Sequence, residues 1–168
     1  EVDNAIIFCN RKRDVDIVAK SLTVHGESAA PIHGDLSQSL RTETLDKFKN
    51  GEIKYLVASD VAARGLDVPS VSHVFNYDVP NHSEDYIHRI GRTGRAGREG
   101  DTIMLVARLD ENNYQDILNL LKVDGIEEIE VPGIEDFPKG GERQKGRGRK
   151  GERKGRHGDK SSGRKRSG

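Results

Sequence analysis

The chain has 168 residues, a third of them hydrophobic and a third charged, with no apolar run near the length that spans a bilayer. Its zero formal charge averages two opposite segments: residues 1–138 hold 15 Lys+Arg and 25 Asp+Glu, whereas residues 139–168 hold 13 and 3. One cysteine, Cys9, excludes an internal disulfide framework, and the six histidines lie at no metal-ligand spacing.

In chain order, the opening "EVDNAIIFCN" enters directly at a strand-like run, Ala5–Cys9, with no initiator Met, basic leader or cleavage site. The expectation is a fragment of a cytoplasmic protein with its thiol buried. Val15, Val18, Ala19 and Leu22 then fall on one helical face. A strand ends near Ile32. Ser37 is placed to cap a second helix carrying Leu40, Leu45 and Phe48, which stops at Gly51. "YLVAS" (55–59), "VSHVFNY" (71–77) and "TIMLVA" (102–107) have strand length and composition. Ser83 is placed to cap a third helix, with Glu84 and Asp85 on its positive end, and Asp110 to start a fourth carrying Ile117, Leu120 and Leu121. "EEIEV" (127–131) alternates like a late edge strand.

Apolar strands alternating with amphipathic helices predict an α/β fold: an open, mainly parallel sheet with helices on both faces. Ligands of such sheets gather beyond the carboxyl ends of the strands, which directs attention to the segments after Ile32, Ser59 and Tyr77. Residues 139–168 carry no aliphatic, Phe, Tyr or Trp side chain, so burial cannot offset the entropy of ordering them. The predicted organisation is a domain over 1–138 and a disordered basic tail over 139–168.

Three segments carry chemistry. "HRIGRTGRAGREG" (88–100) places arginine at 89, 92, 95 and 98 among glycines at 91, 94, 97 and 100. Steps of three drift by about 60° on a helix, so the four guanidiniums fan out, and the glycines predict a helix fraying into a loop. Arginine forks beside accessible backbone N–H groups suit phosphate, although a solvated arginine face fits the same residues. "VASDVAARGLDVP" (57–69) offers Gly65 for close approach and Asp67 to accept from a sugar hydroxyl, or a self-contained turn. "PIHGDLSQSLRTETLDKF" (31–48) sets Gly34 at a turn and Gln38 and Arg41 one helical turn apart, suited to a nucleic-acid backbone or to a plain capped surface helix.

Taken in order, "AIIFCNRK", "HGDLSQSLR", "ASDVAARGLDVP", "VSHVFNYDVP" and "HRIGRTGRAGREG" resemble the C-terminal RecA-like domain of DEAD-box RNA helicases over roughly residues 5–107. "IEVPGIEDFP" before a basic tail is most similar to bacterial members. Ser59 departs from the commoner Thr but keeps the hydroxyl.

The resemblance implies an ATP-dependent RNA helicase. Arg92 and Arg95 would act as arginine fingers on ATP, with Gly65 and Asp67 also meeting the nucleotide. Arg11, Gly34, Arg41 and Ser59 would contact RNA phosphates, and Arg64 and His88 would couple the domain to its partner lobe. There is no GxxxxGK[ST] loop and no Asp-Glu-Ala-Asp run. The resemblance therefore assigns the triphosphate grip and the magnesium ion to an N-terminal RecA-like domain outside this chain, and the chain alone is expected to be inactive. The tail reads as a salt-sensitive RNA tether. The alternative is a non-enzymatic RNA-binding or annealing module.

Overall fold

The computed structural model describes residues 1–94 and 99–129. Five strands form one sheet: β1 (Ala5–Cys9), β2 (Ala29–Ile32), β3 (Tyr55–Ser59), β4 (His73–Asn76) and β5 (Asp101–Met104). Between and after them run α1 (Lys12–Val24), α2 (Gln38–Lys49), α3 (Asp60–Arg64), α4 (Ser83–Ile90) and α5 (Glu111–Leu121). The spatial order is β2-β3-β1-β4-β5, and every pairing is parallel, as the apolar strands predict. The centre of the sheet is β1, with Phe8 opposite both Ala58 and Asn76. All five β1 residues are buried, which fits a strand covered on both faces.

Alternation along the strands divides the core. Ile6, Phe8, Leu56, Ala58 and Val74 point to one face, where they meet Leu45 and Phe48 of α2 and Ala63 of α3. Ile7, Cys9 and Val57 point to the other, against Val15 and Ala19 of α1, with Val18 and Leu22 at the margin. The stripe predicted for α1 is thus its buried face. A third cluster joins Val79, Tyr86 of α4 and Ile117 of α5.

Local chemistry explains most element ends. Ser37 caps α2 by accepting from the Leu40 N–H at 3.2 Å, and Gly51 takes the left-handed φ of +78° just past the helix end. Four expectations need correction. Leu40 is 44% exposed, because it lies about 140° around the helix from Leu45; Thr44 takes the inward position. Ser83 is the first helical residue of α4 rather than its cap, and His82, the cap residue, makes no side-chain capping bond. The last strand stops at Met104, leaving Leu105 and Val106 exposed, whereas Asp110 stands where expected, as the cap residue of α5, its carboxylate accepting from the Ala107 N–H at 3.2 Å. Residues 127–129 belong to no strand, and the rest of the expected edge strand lies outside the described residues.

The compact unit spans Glu1–Glu128, with residues from Ile129 onward falling to a second unit. The predicted boundary at 138 and the tail lie outside the described residues. Among those described, no helix is long and apolar enough to cross a membrane.

Candidate functional site

Because all strands run the same way, their carboxyl ends share one edge. Gly34 follows the buried His33 beyond β2, Ser59 ends β3, and Arg11 follows Asn10 beyond β1. These strands are consecutive in the sheet, so the three residues follow neighbouring strands at its carboxyl edge. Arg11 and Ser59 occupy the cap positions of α1 and α3 without using their side chains as caps. Gly34 is exposed, and a Cβ there would meet no atom within 4 Å, so packing inside the domain does not require glycine. Arg41 stands in the first turn of α2, where its Nη1 donates to the Gln38 Oε1 at 3.4 Å. Its Nε is buried with no hydrogen-bond partner.

Between β1, β3 and β4 sits a side chain that the sequence pattern groups wrongly with the phosphate binders. Arg89 is 1% exposed. Its Nε and Nη2 form a two-pronged ion pair with the Asp60 carboxylate, both bonds 2.7 Å long. Nη1 donates to the Asn76 Oδ1 at 3.1 Å and the Asp78 carbonyl at 2.8 Å, and Nη2 also donates to the Asn10 Oδ1 at 2.7 Å. The guanidinium lies 5.2 Å from the centre of the Phe8 ring. All five N–H donors are thereby matched inside the domain. Asn10 extends the network, its backbone N–H donating to the Asp78 carboxylate at 2.8 Å and its side chain to the Val79 carbonyl at 2.9 Å. Arg89 therefore offers nothing to an external anion; it ties the ends of three strands together.

A signal for this role exists in the sequence: Tyr86, Arg89 and Ile90 fall at i, i+3 and i+4, the inward stripe of α4. Asn10, Asp60, Asn76 and Asp78 carry no such signal, since they come from the ends of three different strands and no local spacing connects them.

Arg92, three residues on, behaves differently. It follows the end of α4 at Gly91, and its guanidinium reaches the Ala63 and Leu66 carbonyls at 3.3 and 3.5 Å. A small cleft gathers Arg92, His88 and Arg64 over Phe8, Asp60 and Arg89. Its cavity of about 10 Å³ has room for at most one water. Arg64 is ion-paired with Asp85 of α4, while His88 is exposed.

The α3 region shows the surroundings of two more of the predicted residues, Gly65 and Asp67. Residues 60–64 form a short helix, for which Asp at the start and Arg at the end suit the dipole. Gly65 has an ordinary φ of −89° with open space around it, so the fold itself does not require its glycine. Asp67 is outside the cleft lining and pairs with Lys49 of α2 at 3.1 Å, its side chain 97% exposed. Arg95 lies outside the described residues.

A separate concavity of about 520 Å³ runs along α2 past Glu43, Asp46 and Glu52. It collects Gln38 but none of the predicted site residues, and its carboxylates disfavour phosphate. Among the described residues no group of three or more His, Cys, Asp or Glu side chains is arranged to hold a metal. Burial, reinforced by Asp78, pushes the Cys9 thiol up to about 12, so it stays protonated and unreactive.

An open, all-parallel five-stranded sheet in the order β2-β3-β1-β4-β5, packed against helices, is the architecture of a RecA-like lobe. The helicase conserved C-terminal domain profile matches residues 1–97. The DEAD-box ATP-dependent RNA helicase CshA of Bacillus anthracis is 42% identical over 139 residues, covering 83% of this chain and 26% of that protein. CshA of Limosilactobacillus reuteri is 48% identical over 121 residues, covering 72% and 24%. Among solved structures, Escherichia coli SrmB bound to RraA superposes with a TM-score of 0.68 at 39% identity over 71% of each chain. A DEAD-box protein of Methanococcus jannaschii reaches 0.68 at 41%, covering 72% of this chain and 33% of that one. The chain belongs to the helicase conserved C-terminal domain family, in its DEAD-box branch. It spans about a quarter of the length of these curated relatives.

Proposed function

We propose that this chain is the C-terminal lobe of an ATP-dependent RNA helicase, completing an ATP site and an RNA track whose other halves lie on an N-terminal RecA-like lobe. The observation that carries this reading is the division of the carboxyl edge: Arg11, Ser59 and Gly34 along β1, β3 and β2, and Arg64, His88 and Arg92 around a cleft beside β1 and α3.

On the RNA side, Arg11 and Arg41 supply guanidiniums, Ser59 a hydroxyl, and Gly34 a backbone that a phosphate can approach without meeting a Cβ. Such contacts carry no base information, so recognition is independent of sequence. On the nucleotide side, Arg92 and Arg95 serve as arginine fingers, and Gly65 and Asp67 meet the nucleotide, with Asp67 near the ribose. ATP would supply the phosphoryl group, and its magnesium ion would be held by the other lobe, since the described residues offer no cage. The arginines need only present positive charge at the rim, where it balances charge building on the transferring phosphoryl. Arg64 and His88 reach toward the partner lobe. When ATP and RNA both bind, closure of the lobes links the two affinities, and a short duplex opens locally.

The tail over 139–168 adds a polycationic tether, giving log affinity a slope of about −0.7 against log salt for each phosphate of a single strand it neutralises.

The test is ATP hydrolysis by this chain alone and by the same chain joined to a lobe bearing the P-loop. The expected result is no RNA-stimulated turnover alone and full turnover when joined. Stimulated turnover from the isolated chain would refute the division of labour.

A further inference from the structure

The residue that follows Arg92 is held by an arrangement the phosphate reading does not explain. Thr93 Oγ1 donates to the Val71 carbonyl at 2.6 Å, with the Ser72 carbonyl at 3.3 Å. In return the Val71 N–H donates to the Arg92 carbonyl at 3.0 Å, so residues 71 and 93 form a parallel bridge outside the named strands. Gly100 closes against the same hydroxyl. A Cβ at Gly100 would lie 1.9 Å from Thr93 Oγ1 and 2.8 Å from the Gly94 nitrogen, so no other residue fits without displacing the threonine. One residue later, the Asp101 N–H donates to the Ser72 carbonyl at 3.0 Å, and β5 begins. Gly94 takes a φ of +65°, a left-handed value that suits glycine, where the chain leaves the bridge.

These contacts converge on one backbone position. Upstream, Arg92 is three residues from the Arg89 anchor, and its own N–H donates to the Arg89 carbonyl at 3.1 Å. Downstream, its carbonyl is fixed by Val71 and its neighbour's hydroxyl by the same residue. The bridge therefore sets the height and direction from which the Arg92 side chain crosses the end of α3 toward the Ala63 and Leu66 carbonyls. A threonine used only for packing would not need its hydroxyl at 2.6 Å from a carbonyl.

We propose that Thr93 is a positioning residue for Arg92, its hydroxyl locking the backbone so that the guanidinium meets the nucleotide phosphates. This rests on the reading of Arg92 as an arginine finger. The required precision is severe, since misplacement of a catalytic group by about 1 Å lowers a rate by about 10²-fold.

The experiment compares Thr93→Val, Thr93→Ser and Arg92→Ala in the two-lobed protein, following kcat for ATP, KM for RNA and thermal unfolding. Valine keeps the shape and removes the donor; serine keeps the donor. The expected result is a fall in kcat of about 10–100-fold for Thr93→Val, with KM for RNA and the unfolding temperature nearly unchanged, and recovery of most turnover in Thr93→Ser. Wild-type turnover in Thr93→Val, a Thr93→Ser protein as defective as Thr93→Val, or loss of the fold on substitution would each overturn the positioning role. The Arg92→Ala arm separates the two ideas. If it retains turnover, the finger reading falls and this proposal with it; if it alone loses turnover, only the role of Thr93 falls.

Discussion

Two arginines one helical turn apart, Arg89 and Arg92, share a motif, a residue type and a glycine-rich setting, yet their environments are opposite. Arg89 has every donor matched by groups from three strand ends, in bonds of 2.7 to 3.1 Å. Arg92 stands past the helix end, with two longer contacts to carbonyls at 3.3 and 3.5 Å. The first braces the edge, and the second is the one proposed to present charge at it. A guanidinium that serves a ligand must exchange its internal contacts for the ligand's, and the buried, fully matched network of Arg89 makes that exchange costly.

The largest stability effect falls on the brace. Arg89→Ala leaves the Asp60 carboxylate without its partner and several strand-end acceptors unmatched, and should destabilise the domain by about 3–5 kcal/mol in denaturant unfolding. A loss below about 1 kcal/mol would remove the contrast between the two arginines. Gly100→Ala comes next. Its Cβ collides with Thr93, so a loss of about 1–3 kcal/mol is expected from overpacking, read by the same unfolding measurement.

A third effect sits in the core beneath the edge and appears only at alkaline pH. The Cys9 thiol is raised from 9.0 to about 12 by burial in the folded chain. An unfolded chain therefore releases the proton at lower pH, and the folded state binds more protons across that window. The contribution of Cys9 is intact below about pH 9 and falls as pH rises toward 12, by at most about 1.4 kcal/mol per pH unit. Cys9→Ala should flatten the alkaline loss of stability relative to the parent. Identical slopes would show that the thiol titrates alike in both states.

How much of this was legible in the sequence follows from the range of the interactions. Ser37 and Gly51 act on their own helix end, and Val15 and Ala19 follow helical period, so the capped α2 and the inner face of α1 could be read directly. The parallel sheet followed from strands too apolar for solvent on either face. The Arg89 network could not be read the same way, because Asn10, Asp60, Asn76 and Asp78 come together only when β1, β3 and β4 are laid side by side. Gly65 shows the converse. It is read from the sequence as a point of close approach, and its ordinary backbone and open surroundings show that the fold itself does not demand glycine there.

The contrast is tested most directly by Arg92→Ala in the two-lobed protein, with unfolding free energy and RNA-stimulated ATP turnover measured on one preparation. The account predicts stability within about 0.5 kcal/mol of the parent and turnover lower by about 10³–10⁵-fold. Normal turnover, or a stability loss as large as that of Arg89→Ala, would contradict it.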